Sequence, residues 1–115
     1  MVLKNIKDSV QGKAELGKKR SSRWPTIRKN YLKVNPVCAV CGGTNKLEVH
    51  HIVPFHTDSS LELDLDNLIT LCESKSFGVV CHLFVGHLGS YKNVNPNVRE
   101  DAASWRQKLS NQHKH

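Results

Sequence analysis

The sequence lacks any segment approaching the ~20 consecutive apolar residues of a membrane span. Its first residues carry no continuous apolar stretch of signal-peptide type. The expectation is therefore a cytoplasmic protein with no membrane partner. Aromatic residues are few, with three Phe, two Trp and two Tyr among 115 residues. A domain this small with so few large side chains has a thin core, so cross-linking beyond hydrophobic packing is expected. No internal repeat, low-complexity segment or coiled-coil pattern is present, which removes the solenoid class and predicts a monomer.

Acidic residues are scarce where they would matter most. Ten of the seventeen Lys and Arg fall in residues 1–33, against only Asp8 and Glu15. The net charge is +7. A basic flank of this kind suits a polyanion, most simply nucleic acid, although it is also compatible with a solvated tail. An anionic membrane fits less well, because the stretch has no wide apolar face.

Gly12 and Gly17 interrupt residues 1–22, which read as a basic arm, flexible or weakly helical. Trp24 to Val34 is predicted helical. Ser21 and Ser22 precede it, Pro25 suits the first turn, and Trp24, Ile27, Tyr31 and Val34 recur at three- and four-residue spacing. Leu47 to Val53 is strand-like. In the acidic loop that follows, Leu61, Leu63 and Leu65 alternate as a short extended piece, and "NLITLC" is a further extended or turn-like segment. "CHLFVGH" suggests one or two helical turns before Gly86. The closing helix has Asn97 and Glu100 placed as a capping box, with Val98, Ala102, Trp105 and Leu109 as its apolar stripe.

The cysteines run Cys38-x2-Cys41, then Cys72-x8-Cys81. The first pair has the spacing of a zinc knuckle, with Gly42 and Gly43 behind it; the second gap is longer than usual. In a chain without an export pattern, four thiols point to one structural Zn2+ rather than to disulfides or free core thiols. The long second gap leaves open whether His82 or another residue replaces a cysteine as fourth ligand. If four cysteines saturate the zinc, the histidines are left for another task. A zinc site tying Cys41 to Cys81 draws His50, His51 and His82 towards one another, making a candidate site of three scattered residues.

Taken in order, "CAVCG…LEVHHIVPFH…LDNLITLC…CH" resembles the HNH endonucleases, in the branch whose core is stapled by four cysteines. The resemblance covers residues 38–82 and departs from the family at "ESKSFGVV", where two residues are usual. "CHLFVGHLGSYKNVNPNV" is similar to a phage-associated branch. The resemblance implies an α+β fold: a small ββα-metal (His-Me finger) core with a four-cysteine zinc site made by Cys38, Cys41, Cys72 and Cys81. The HNH nuclease domain would span residues 23–96, and a C-terminal helix, 97–115, would pack on or flank it.

The resemblance also implies roles. His51 would be the general base, His50 and His82 would bind one divalent cation, and Asn67 would hold the His51 strand through backbone hydrogen bonds. Mg2+ or Mn2+ is the expected catalytic ion, with Zn2+ or Ni2+ as alternatives at imidazole ligands. His87 lies five residues after His82, one beyond the spacing that shares a helix face, with Gly86 between them. The sequence leaves it as a third ligand, a phosphate contact or a structural hydrogen bond. His56 is assigned to loop stabilisation, and Asp64 and Asp66 receive no role.

The implied substrate is DNA, contacted mainly at phosphates by Lys18, Lys19, Arg20, Arg23, Arg28 and Lys29, with Lys92 and Arg99 on the other flank. One site cuts one strand, so the expected activity is nicking of duplex DNA with low sequence specificity. A phage terminase is the partner that the branch suggests. The competing class is a non-catalytic zinc module that binds nucleic acid, which would leave the histidines and Asn67 without work. A secreted nuclease toxin is a more distant reading, because the export pattern is missing.

Overall fold

The computed structural model describes residues 19–75 and 78–112. The expectations for residues 1–18, Lys18 included, lie outside the described residues. The protein is α+β, as expected. Helix α1 (Trp24–Val34) is followed by strand β1 (Leu47–His51), strand β2 (Leu68–Cys72), a single π-helical turn (His82–Gly86) and helix α2 (Val98–Gln112). The two strands form one antiparallel sheet in which Leu47 faces Cys72, His50 faces Ile69 and His51 faces Leu68. Together with the π-helical turn they give the ββα arrangement that the resemblance implied. Among the described residues no helix is long and apolar enough to cross a membrane.

Helix α1 is preceded by a turn made by Ser21. Its Oγ accepts from the Arg23 N–H at 3.1 Å and its carbonyl from the Trp24 N–H at 3.1 Å, with proline in the first turn. The helix has no fully buried residue, and Val34 is 79% exposed at its end. It is held on the sheet by polar contacts instead. The Tyr31 hydroxyl donates to the Leu68 carbonyl at 2.9 Å, and Thr70 of β2 donates to the Asn35 carbonyl at 2.9 Å.

Strand β2 is buried along its whole length, consistent with its apolar run. The core is thin, as its composition required. Cys38, Val40, Ile69, Leu71, Cys72, Cys81, Val85, Val98 and Ala102 form one buried cluster in which three of the nine side chains are thiols. Val98 and Ala102 of the α2 stripe are buried, whereas Trp105 remains 37% exposed beside Phe84.

Two local expectations change. The strand predicted to Val53 ends at His51. The alternating leucines are not extended, because Ser59–Leu61 and Leu65–Asn67 are 3-10 turns. The reason lies in the acids: Asp58 Oδ1 accepts from the Ser60 N–H and Asp64 Oδ1 from the Asp66 N–H, each capping a turn. The start of α2 is held by Asn95, which is buried. Its amide donates to the Val85 carbonyl and to Asp101, both at 2.9 Å, and its Oδ1 accepts from the Asn97 N–H at 3.0 Å. This ties α2 to the π-helical turn.

Candidate metal centre

Two clusters of metal-ligating side chains lie side by side along the chain. The first joins Cys38, Cys41, Cys72 and Cys81, whose sulfurs all lie within 4.8 Å of one another. All four are free thiols, and Cys41 Sγ lies 3.6 Å from Cys72 Sγ. A disulfide would require about 2.05 Å. A tetrahedron of about 2.3 Å Zn–S bonds places sulfurs about 3.8 Å apart, so the spacing fits a shared metal.

The knuckle behind the first pair is tight. The Gly43 N–H points at Cys41 Sγ and the Val40 N–H at Cys38 Sγ, both at 3.4 Å. Gly42 has φ +76°, a left-handed conformation that glycine adopts without strain. Ionisation of one thiol suppresses that of its neighbours. Cys38 is held down to about 4, chiefly by the hydrogen bond from Cys81. That bond pushes Cys81 up, and burial raises Cys41 to about 11. Four thiolates here require a cation to share.

The second cluster is His50, His82 and His87. His50 lies near the end of β1, pointing inward and buried; His82 opens the π-helical turn and His87 follows it. His50 Nδ1 lies 3.1 Å and His87 Nε2 3.2 Å from His82 Nε2. The outer nitrogens set the tautomers. His87 Nδ1–H donates to the Asn93 carbonyl at 2.9 Å, and His82 Nδ1 is hydrogen-bonded to the Glu73 carboxylate. Both Nε2 lone pairs therefore face the same point, together with His50 Nδ1. Lone pairs this close repel unless a cation sits among them, so the donor set fits a divalent metal. Burial, reinforced by His82 and His87, pushes His50 down to about 3, which keeps it in the neutral, ligating form.

The π-helical turn decides the fate of His87. Each π turn takes one more residue than an α turn, so residues five apart share a face. Gly86 makes room for it: a Cβ there would meet Leu71 Cδ1 at 2.9 Å, His82 Cδ2 at 3.2 Å and His50 Cε1 at 3.4 Å.

His51, the neighbour of His50 on β1, turns to the other side of the sheet. Its Nε2–H donates to the Glu62 carbonyl at 2.9 Å, leaving Nδ1 as the basic nitrogen. Its ring packs on Trp24, with centroids 4.4 Å apart. Burial holds its pKa below the usual histidine value. Asn67 is buried and bonds across the loop. Its amide donates to the carbonyls of Val53 at 3.0 Å and Leu61 at 3.2 Å, and its Oδ1 accepts from the Val53 N–H at 2.8 Å. The residues that follow His51 are thereby fixed.

Of the basic residues, Lys19, Arg23 and Lys29 are exposed. Arg20 lies over the Phe55 ring at 4.4 Å and pairs with Glu62 at 3.7 Å, and Arg28 pairs with Glu48 at 3.7 Å. Lys92 is exposed. Arg99 Nη2 donates to the carbonyls of Asp66 and Leu68, so it anchors α2 to the start of β2. His56 is exposed in the loop after Pro54. Sequence reasoning missed Glu62 and Glu73. The first is a buried acid that pairs with Arg20 and accepts from the Ser21 N–H, the second touches His82, and neither carries a motif that would announce it.

Residues 38–74 match the family model described as HNH endonuclease. The chain thus carries an HNH-family segment from the first cysteine of the knuckle through both strands. The segment ends before Cys81, His82 and His87, which the fold adds to the two clusters. No curated protein and no solved structure matches the chain.

Proposed function

We propose that this protein is a metal-dependent HNH endonuclease that hydrolyses DNA phosphodiester bonds, nicking one strand with low sequence specificity. The observation that carries the reading is the convergence of His50, His82 and His87, with His51 the next residue after His50 on β1. A binding module has no use for three imidazoles whose lone pairs meet, nor for a base kept deprotonated.

Cys38, Cys41, Cys72 and Cys81 would hold a structural Zn2+, which at such sites stabilises the fold by on the order of 10 kcal/mol. His50, His82 and His87 would hold one exchangeable divalent ion, which would supply positive charge to the reacting phosphate. Three imidazole nitrogens suit Mn2+, Zn2+ or Ni2+ better than Mg2+, which prefers oxygen ligands.

His51 Nδ1 accepts a proton from water, and the water oxygen bonds to phosphorus in line with the bond that breaks to the 3′ oxygen. The departing 3′ oxygen takes a proton from solvent, so the products are a 5′ phosphate and a 3′ hydroxyl. The Glu62 carbonyl holds the imidazole in the required tautomer, and Asn67 holds the strand that carries it. Lys19, Arg20, Arg23 and Lys29 contact backbone phosphates, each adding about −0.9 to the slope of log K against log salt.

The test is conversion of supercoiled plasmid to open circles by the zinc-loaded protein with Mn2+, Ni2+, Mg2+ or EDTA. Metal-dependent open circles support the reading. DNA binding without cleavage under any metal would leave the non-catalytic zinc module as the function.

A further inference from the structure

The zinc cluster and the histidine cluster are joined by two pairs of consecutive residues. Cys72 is followed by Glu73, and Cys81 by His82. Because Cys72 and Cys81 belong to one cluster, the residues after them emerge side by side. The Glu73 backbone is fixed by its N–H, which donates to the Lys46 carbonyl at 2.8 Å. Its carboxylate meets His82 Nδ1 and also accepts from the Tyr91 hydroxyl, which lies 3.1 Å from both oxygens. The Tyr91 ring packs against His82 and His87, with centroids 5.7 and 5.1 Å away.

We infer that Glu73, clamped by Tyr91, is a positioning residue that sets the metal affinity of the three-histidine site and couples it to the four-cysteine site. The inference rests on the metal site of the proposed nuclease. The chemistry is that of a carboxylate behind an imidazole ligand. Accepting the Nδ1–H fixes the ring's tautomer and rotation and makes the distal nitrogen a stronger donor. Glu73 does this from the end of a strand whose last residue, Cys72, binds the zinc. The zinc therefore sets where the carboxylate stands, and the carboxylate sets where His82 points. Tyr91, exposed on the loop before α2, holds both carboxylate oxygens and keeps the group from rotating away.

The experiment is Mn2+ titration by calorimetry of the zinc-loaded full chain, as wild type, Glu73→Gln, Tyr91→Phe and Glu48→Gln. Zinc content and circular dichroism serve as fold controls. Glu73→Gln is expected to raise the Mn2+ Kd about 10- to 100-fold, with a smaller rise for Tyr91→Phe. Glu48→Gln removes the same charge from a carboxylate paired with Arg28 and is expected to leave the Kd unchanged. Before Mn2+ is added, the His82 Nδ1–H proton should resonate far downfield in wild type and move upfield in Glu73→Gln. Wild-type affinity in Glu73→Gln, or an equal loss in Glu48→Gln, would overturn the inference. Should Glu73→Gln lose its zinc, Tyr91→Phe decides, and an unchanged Kd there overturns it. If the wild type itself takes up no second ion, the metal site of the proposed function fails and the inference falls with it.

Discussion

His82 and His87 are five residues apart, yet their Nε2 atoms lie 3.2 Å from each other because the turn between them is π-helical. An α-helical turn would send them to different faces. The wider turn needs backbone close to Leu71 and to both neighbouring imidazoles, and Gly86 supplies it.

Gly86→Ala should therefore loosen the metal centre while leaving the cysteine cluster in place. The added methyl meets Leu71 Cδ1 at 2.9 Å, and overpacking of this kind costs about 1–3 kcal/mol. A lowered thermal midpoint with weaker Mn2+ binding and unchanged zinc content is expected. Unaltered Mn2+ affinity would show that the turn has slack.

His51→Ala separates the base from the metal. Its Nε2 is engaged by the Glu62 carbonyl and not by the histidine cluster, so Mn2+ affinity should survive the change. Nicking should fall about 10²- to 10⁴-fold, the usual contribution of a positioned general base. A variant that binds Mn2+ as the wild type does and still nicks at full rate would remove His51 from the mechanism.

Asn67→Ala removes three side-chain hydrogen bonds and leaves backbone groups of Val53 and Leu61 without them. Leaving a buried polar group unpaired costs about 1–3 kcal/mol. Urea unfolding of the zinc-loaded chain should show a loss of that order or somewhat more, with nicking reduced because the residues after His51 are released. A loss below about 0.5 kcal/mol would mean that water replaces the bonds without penalty.

Burial holds both His50 and His51 below the ordinary histidine value, His50 at about 3. Below about pH 6.5 the unfolded chain binds protons that the folded chain refuses, so stability rises with pH through this window. In protein carrying zinc but no second metal, the urea midpoint should be level above about pH 6.5 and fall as the pH is lowered from there. The acid limb of nicking should likewise lie below about pH 6.5, since His51 must be neutral to act. A midpoint that stays level down to about pH 5 would contradict the burial argument.

Much of the protein was legible along the chain because its signals are local. The Cys-x2-Cys-Gly-Gly knuckle, the apolar run of β2 and the start of α1 each depend on neighbours within a few residues. The acidic loop misled for the same reason. Alternation of Leu61, Leu63 and Leu65 is a strand pattern, but Asp58 and Asp64 bond to backbone two residues on and turn the chain instead.

The candidate ligand chemistry is legible in residue type and spacing: four thiols, a pair of histidines on opposite sides of one strand, and an asparagine able to bridge a loop. That His87 joins His50 and His82, that Glu73 stands behind His82, and that Trp24 and Glu62 enclose His51 follows from how the folded segments meet. Side-chain type travels with the sequence, whereas these relationships depend on the pitch of one turn and on where distant segments meet. A single residue added to the turn brings His87 to its partners, and the cysteine cluster brings Glu73 to His82 from nine positions away. No local pattern encodes either.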